Sequence, residues 1–180
     1  SVLSANRPGI IGAVAQLLRV PSEHEQALVA ALGPAQQYLI ATSDKEAAAA
    51  INWLRATSGG RATFLPLNSI RQQIRTRAEQ QLEKLTGAVG WADELVDFPT
   101  SVAPAIKYLL ARVLVVHDLD AARAIAKDSG FKFKLVTLAG DVLNPGGSLV
   151  GGSINKSQSS QLSLSRQLRE LKATVADKKL

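Results

Sequence analysis

Two ten-residue segments, Gly12-Ala13-Val14-Ala15-Gln16-Leu17-Leu18-Arg19-Val20-Pro21 and Gly90-Trp91-Ala92-Asp93-Glu94-Leu95-Val96-Asp97-Phe98-Pro99, repeat one pattern in the two halves of the chain. They share the first glycine, an apolar pair at the sixth and seventh positions, an apolar ninth residue and the final proline. An internal repeat of this kind indicates two copies of one structural unit. The sequence therefore predicts two related subdomains.

The residues that follow each proline continue the repeat with helical and strand-like segments. Apolar residues recur at the i, i+1, i+4 and i+5 positions of a buried helix face in both halves. They are Ala27, Leu28, Ala31 and Leu32 in one half, and Ala105, Ile106, Leu109 and Leu110 in the other. Short apolar runs at 38–40, 62–65, 114–116 and 133–137 are typical of buried strands. Each half thus predicts the order helix, strand, helix, strand.

Capping signals mark where further helices begin and end. Ser43 with Glu46, and Ser22 with Glu25, fit capping boxes, and Asp118 is a candidate N-cap. Helices over 44–57 and 119–129 would end at the glycines that follow them. The fold class predicted from these patterns is mixed α/β (α+β), with two related subdomains whose small sheets are flanked by helices.

The same patterns divide the chain into four parts. We expect subdomain I over 1–67, a linker over 68–87, subdomain II over 88–155 and the root of a helical arm over 156–180. The linker is polar and rich in Gln, Arg and Glu, and we interpret it as a solvated, partly helical connector. In the last part Leu164, Leu168, Leu171 and Val175 recur at spacings of 4, 3 and 4. That spacing is typical of a coiled-coil seam, although an ordinary amphipathic terminal helix looks the same over this length.

The composition is that of a foldable globular chain. Hydrophobic residues make up 46% and charged residues 20% of the 180 residues. The 21 basic and 15 acidic residues give a net charge of +6, which permits contact with nucleic acid or another anionic surface. No apolar run approaches the ~20 residues that span a bilayer, and no signal peptide opens the chain. We expect no membrane contact and a cytoplasmic location, and, without a Met at position 1, a piece of a longer protein.

The sequence lacks the residue patterns that most enzyme and metal sites require. Cysteine is absent, which excludes disulfides, thiolate nucleophiles and cysteine-ligated metals. His24 and His117 stand alone, without a partner at metal-ligand spacing, and no nucleophile elbow is present. We interpret the acidic cluster of Asp93, Glu94 and Asp97 as ordinary surface charge. We therefore expect no catalytic residue, no metal site and no cofactor in this chain.

The glycine-rich segment Gly146-Gly147-Ser148-Leu149-Val150-Gly151-Gly152-Ser153 has the spacing of a phosphate-binding loop. The position that should hold lysine is Gly152, so nothing would reach the β- and γ-phosphates, and nucleotide binding is not expected. Glycines also let two backbones approach closely. The segment could therefore pair with a partner chain at an exposed edge, or form an unusual turn within one subunit, and its composition favours neither.

A family resemblance rests on this segment and on what surrounds it. The run Asn144-Pro145-Gly146-Gly147-Ser148-Leu149-Val150-Gly151-Gly152-Ser153, preceded by residues 135–142, resembles the closing signature of the hinge domain of SMC (structural maintenance of chromosomes) proteins, especially the bacterial members. Residues 8–17, 31–33 and 60–67 agree with the same family. The resemblance covers about residues 8–153 in order. Leu149 and Val150 depart from it, because the family usually has Met and a small polar residue there.

The resemblance implies a homodimerisation hinge rather than an enzyme. Two copies would join through two interfaces, with Gly146, Gly147, Ser148, Gly151 and Gly152 in the dimer interface. The hinge would connect long coiled-coil arms to distant ATPase heads that act on chromosomal DNA. ATP and Mg²⁺, and other condensin subunits, would bind at those absent heads, and the whole protein would serve chromosome condensation and partitioning at the nucleoid.

The resemblance also implies non-specific DNA contact near the arm root, where the tail is basic. The last 25 residues hold six basic and two acidic residues. From them we expect Lys156, Arg166, Arg169 and Lys172 to bind DNA, and Arg71, Arg75 and Arg77 form a weaker second candidate. The competing hypothesis is a basic nucleic-acid-binding module whose dimerisation is incidental.

Overall fold

The computed structural model describes residues 1–152 and 161–179 and contains two sheets. The strands of the first sheet are β1 (Ile10–Ala13), β2 (Leu39–Ala41) and β3 (Phe64–Pro66). Those of the second are β4 (Ala88–Trp91), β5 (Val113–Val116), β6 (Lys134–Thr137), β7 (Val142–Leu143) and β8 (Leu149–Val150). In both sheets the first strand is antiparallel to the second, with a bulge, and the second is parallel to the third. The second sheet then adds the antiparallel strands β7 and β8.

Seven α-helices and several short 3₁₀ turns connect these strands within the described residues. The helices are α1 (Val14–Leu17), α2 (Glu25–Leu32), α3 (Asp44–Ala56), α4 (Arg77–Gln80), α5 (Ala103–Leu110), α6 (Leu119–Asp128) and α7 (Gln161–Lys178). The predicted mixed α/β fold with small sheets and flanking helices is therefore confirmed. None of the described helices is both long enough and apolar enough to cross a membrane.

Hydrogen bonds with side chains explain where α3 and α6, the two longest helices of the repeat, begin. Ser43 Oγ accepts a hydrogen bond from the Glu46 amide at 3.2 Å, and Asp118 Oδ1 accepts one from the Ala121 amide at 2.8 Å. Both predicted N-caps are confirmed, since each side chain satisfies an amide of the first turn. The predicted cap at Ser22 is wrong: Ser22 begins a 3₁₀ turn, and α2 begins at Glu25 without a side-chain cap.

The two halves share a hydrophobic core. Leu28 of α2 and Ile106 of α5 are fully buried in one cluster that also includes residues of both sheets. The backbones of Arg19 and Asp97 exchange two hydrogen bonds, of 2.8 and 2.9 Å. These two residues occupy the same eighth position of the repeated segment, so the repeat contacts itself about a local two-fold axis. Lys134 of β6 adds a further link, because its Nζ donates to the Ala31 carbonyl of α2 at 3.1 Å.

In the segment between the halves, Arg75, Leu82 and Leu85 pack against the second half, whereas most of residues 68–78 are exposed. The segment is partly helical, as predicted, but it is not solvated along its whole length. Arg75 lies over the Trp91 ring at 4.6 Å from its centroid, and its side chain is only 8% exposed. Its guanidinium binds Asp93 and Glu94, each at 2.7 Å, and donates to the Ala111 carbonyl. Arg75 is thus committed within the chain and is a poor candidate for DNA contact. Asp93 is likewise buried and paired rather than an ordinary surface charge.

A capping box stabilises the helical end of this segment. Thr76 Oγ1 accepts from the Glu79 amide at 3.2 Å, and Glu79 Oε2 accepts from the Thr76 amide at 2.8 Å. The Glu79 carboxylate also accepts two hydrogen bonds from Arg112, at 3.1 and 3.2 Å. These hydrogen bonds, those from Arg112 above all, hold the pKa of Glu79 below its ordinary value.

Candidate dimer interface and arm root

The last strand of the second sheet has an open edge. β8 pairs with β7 through Val142 and Leu143 and is the terminal strand in the sheet order. Both of its side chains are apolar and exposed, Leu149 to 56% and Val150 to 60%. An edge that offers unpaired backbone groups beside exposed apolar side chains is suited to pairing with another chain. Sequence analysis placed the glycines of this segment at an interface but did not assign a role to these two residues.

Of the two glycines that precede β8, Gly146 has an uncovered backbone, whereas Gly147 lies against the Phe131 ring. Gly146 and Gly147 have φ values of 87° and 107°, in the region that favours glycine. A Cβ atom at Gly146 would meet no other atom within 4 Å. Ser148 closes the turn, because its carbonyl accepts from the Asn144 amide at 2.8 Å and its Oγ accepts from Asn144 Nδ2 at 3.2 Å. A second chain could therefore approach the backbone at Gly146 without displacing a side chain.

Gly151 and Gly152 differ in what surrounds them. A Cβ atom at Gly151 would lie 2.4 Å from Asp141 Oδ1, so the carboxylate would have to shift. Thr137 holds this carboxylate in place, because its Oγ1 donates to Asp141 Oδ2 at 3.2 Å. Gly151 thus has a reason within the subunit for being glycine. A Cβ at Gly152 would meet nothing within 4 Å, and its φ is 126°.

The terminal helix α7 presents an apolar stripe to solvent. Leu164, Leu168, Leu171 and Val175 are between 44% and 62% exposed. The first half of the helix is anchored: Leu162 is buried, its amide donates to Gln36 Oε1 at 3.3 Å, and Arg166 and Arg169 bind Glu25 and the Leu18 carbonyl. Although α7 follows the second half in sequence, it therefore packs against the first half. The stripe has no partner among the described residues.

The four residues predicted to bind DNA differ in the hydrogen bonds and ion pairs that they form within the chain. Arg166 Nε donates to Glu25 at 2.6 Å and its Nη1 to Glu170 at 3.0 Å, and the hydrogen bond with Glu25 is the main cause of the raised pKa of Arg166. Arg169 donates to the Leu18 carbonyl at 3.1 Å. Lys172 is exposed and forms no ion pair within the described part of the chain. Lys156 lies outside the described residues.

Residues of the kind that hold metal ions do not cluster anywhere in the described ranges 1–152 and 161–179. A cavity of about 510 Å³ lies between the N-terminal residues, β2 and the start of α7. It is lined by residues such as Val2, Tyr38 and Gln161, which bring no nucleophile and base together.

Comparison with known proteins shows the family to which this chain belongs. Residues 7–126 match the family model described as SMC proteins Flexible Hinge Domain. The chain belongs to this family of SMC hinge domains. It is 39% identical over 170 residues to the chromosome partition protein Smc of Bacillus subtilis (strain 168), and 40% identical over 167 residues to that of Halothermothrix orenii. These alignments cover 94% and 93% of the chain, but only 14% of each relative.

Solved structures show the same fold. The SMC hinge of Geobacillus stearothermophilus, which was crystallised as an asymmetric dimer, superposes with a TM-score of 0.90 at 39% identity, over 98% of this chain and 71% of that one. The Pyrococcus furiosus SMC hinge superposes with a TM-score of 0.71 over 86% of this chain and 82% of that one. At 23% identity the second likeness supports the fold alone. This SMC hinge thus spans only 14% of the length of the Smc proteins that it resembles.

Proposed function

We propose that this chain is the homodimerisation hinge of a chromosome-partitioning SMC protein. The observation that carries the proposal is the open β8 edge, on which Leu149 and Val150 expose more than half of their surface beside glycines with uncovered backbone. The dimeric G. stearothermophilus hinge, at 39% identity, supports it. The parts of the hinge are subdomain I (1–67), the linker (68–87), subdomain II (88–155) and the arm root (156–180).

The interface works through backbone pairing and apolar burial. The β8 edge of one subunit adds to a sheet edge of the second, so that main-chain hydrogen bonds supply affinity and the exposed side chains supply specificity. Gly146, Gly147, Ser148, Gly151 and Gly152 form the segment that the partner approaches. In this proposal β8 joins a different sheet edge of the partner, so the two-fold axis repeats the contact at a second place and gives two interfaces. Opening both would separate the arms and let DNA pass.

The terminal helix connects the hinge to an arm. The exposed apolar residues of α7 recur at coiled-coil spacing, and burying such residues against a second helix removes them from water. We propose that this second helix is the other helix of an antiparallel coiled-coil arm. The whole protein would carry ATPase heads that bind ATP and Mg²⁺ and other condensin subunits, and it would act at the cytoplasmic nucleoid in chromosome condensation.

Non-specific DNA contact belongs to the arm root. Lys172 is exposed. Arg166 and Arg169 each use some of their guanidinium N–H donors in hydrogen bonds within the chain, and each has other N–H donors that can bind phosphate. Phosphate contacts of this kind do not depend on base sequence and weaken with salt. Lys156 is part of the same proposal.

The decisive experiment is sedimentation of the chain across a dilution series. We expect twice the monomer mass for the wild type, and the monomer mass for Leu149→Asp, because a charge on β8 opposes edge pairing. Ile51→Asp is the matched control, since Ile51 is 42% exposed but lies on α3. A wild-type chain that is monomeric at every concentration would refute the proposal.

A second variant tests the glycine segment itself. Asn tolerates positive φ better than most other non-glycine residues do. The Gly146→Asn variant should therefore fold normally, while the new Asn side chain obstructs the partner chain. Gly60→Asn is the control, because Gly60 has a similar φ of 86° and equally open surroundings. Undiminished dimerisation of Gly146→Asn would remove Gly146 from the interface.

A further inference from the structure

Phe131 has a backbone conformation that large residues rarely adopt. Its φ is 57°, and it follows Gly130, whose φ is 67°, so two successive residues are left-handed. A bulky residue in this region is an outlier, and such outliers cluster at functional sites. The feature therefore needs an explanation beyond the end of helix α6.

The repeat shows that this conformation is not required to end the helix. The Phe131 amide donates to the Ala126 carbonyl at 2.8 Å, and in the first half the Gly59 amide makes the same bond to the Leu54 carbonyl at 2.8 Å. Gly59 is thus the counterpart of Phe131, and its φ is not positive. The first half also has two residues of positive φ at the end of its helix, Ser58 at 52° and Gly60 at 86°, but Gly59 separates them. A large residue with positive φ at the position of Gly59 is therefore found in the second half alone.

The Phe131 ring is attached to the segment that precedes β8. Its carbonyl accepts from the Gly146 amide at 2.9 Å. Its ring lies against Gly147, because a Cβ placed there would be 3.6 Å from the ring carbon Cδ1. Yet the residue remains 39% exposed, whereas the nearby Phe133 is 2% exposed and packs on Trp91. The ring therefore stands at the surface, beside Gly147 and the uncovered backbone of Gly146.

We propose that Phe131 is an apolar anchor of the surface that binds a second copy of this chain. The inference rests on the proposed dimerisation through β8 and names a residue that the glycine motif does not include. Aromatic side chains that become fully desolvated carry a large share of binding energy at interfaces. Phe131 is held by Gly146 and Gly147 next to the Leu149–Val150 edge, where a paired strand would cover it. Its unfavourable backbone conformation fixes the ring in the exposed position that a partner requires.

The test compares the dimer dissociation constants of Phe131→Ala, Phe131→Gly and the wild type by sedimentation. We expect both variants to raise the dissociation constant by about tenfold or more, the size of effect typical of an interface anchor. Tyr108→Ala is the matched control, because Tyr108 is an aromatic residue of similar exposure, 41%, on α5. It should dimerise as the wild type does.

A second measurement separates an anchor from a residue that only supports the fold. In a monomeric Leu149→Asp background, Phe131→Gly should leave the unfolding temperature unchanged, since glycine accepts the left-handed conformation. A lower unfolding temperature in that background, or wild-type dimerisation of both Phe131 variants, would overturn the inference. If Leu149→Asp still abolished the dimer, the proposed function would stand. A monomeric wild type would overturn both.

Discussion

At the scale of single residues, the glycines of one motif occupy their positions for different physical reasons. Gly146 and Gly152 face open space, and their positive φ values are the only local reason for glycine. Gly151 faces the carboxylate of Asp141 so closely that any side chain at this position would force the carboxylate to shift. The motif therefore combines residues suited to a partner with one that the subunit itself requires.

Gly151→Ala should destabilise the fold, because the new methyl group would be forced against Asp141 Oδ1. Overpacking of this kind costs about 1–3 kcal/mol of unfolding free energy, which urea denaturation measures. Adding Asp141→Ala to the same chain should recover part of the loss, since it removes the obstructing carboxylate. If Gly151→Ala were as stable as the wild type, the close contact with Asp141 would not constrain this position.

At the scale of elements, the buried ion pair between Arg75 and Asp93 helps to hold the segment between the halves against the second half. Arg75→Ala should lower the free energy of unfolding by about 3 kcal/mol or more, because the buried Asp93 carboxylate would lose its charged partner. Arg77→Ala is the control: Arg77 is exposed on α4 and should change stability by no more than about 0.5 kcal/mol. Equal effects of the two substitutions in urea denaturation would show that the Arg75 cluster does not hold the segment.

The ion pair at the start of α4 should make stability depend on pH. The pKa of Glu79 is lower in the folded chain than its ordinary value of 4.5, so its ionised form stabilises the fold above that pH. The contribution is lost as the pH falls through the folded pKa. Glu79→Gln should therefore unfold at a lower temperature than the wild type near pH ~7, with the difference shrinking below about pH 4.5. Thermal unfolding across this range, with the exposed Glu23→Gln as control, measures it; a difference that is constant with pH would exclude the charge as its cause.

Sequence patterns predicted most elements because those elements depend on local signals. Ser43 and Asp118 mark their helices through hydrogen bonds to residues three positions away. The packing of Arg75 was missed because its partners, Asp93 and the Ala111 carbonyl, are 18 and 36 residues distant. The cap predicted at Ser22 failed because a 3₁₀ turn precedes α2.

At the scale of the whole molecule, the repeat builds one core from two halves. Arg19 and Asp97 pair through their backbones, and α7 returns from the second half to contact Gln36 and Leu18 of the first. The position of the arm root therefore depends on both halves. No periodicity in the sequence specifies that α7 packs against the first half, because this packing depends on contacts between residues more than 100 positions apart.

This arrangement places Arg166 and Arg169 of α7 beside the first half, and it determines how the proposed DNA contact should be tested. Lys172→Ala should weaken binding of unrelated duplexes to a similar extent and reduce the slope of log affinity against log salt by about 1. Lys127→Ala is the control, because Lys127 is exposed on α6, away from α7. Fluorescence anisotropy at about 50 mM and about 200 mM salt gives both quantities. Equal losses in the two variants would mean that DNA responds to net charge and not to the arm root.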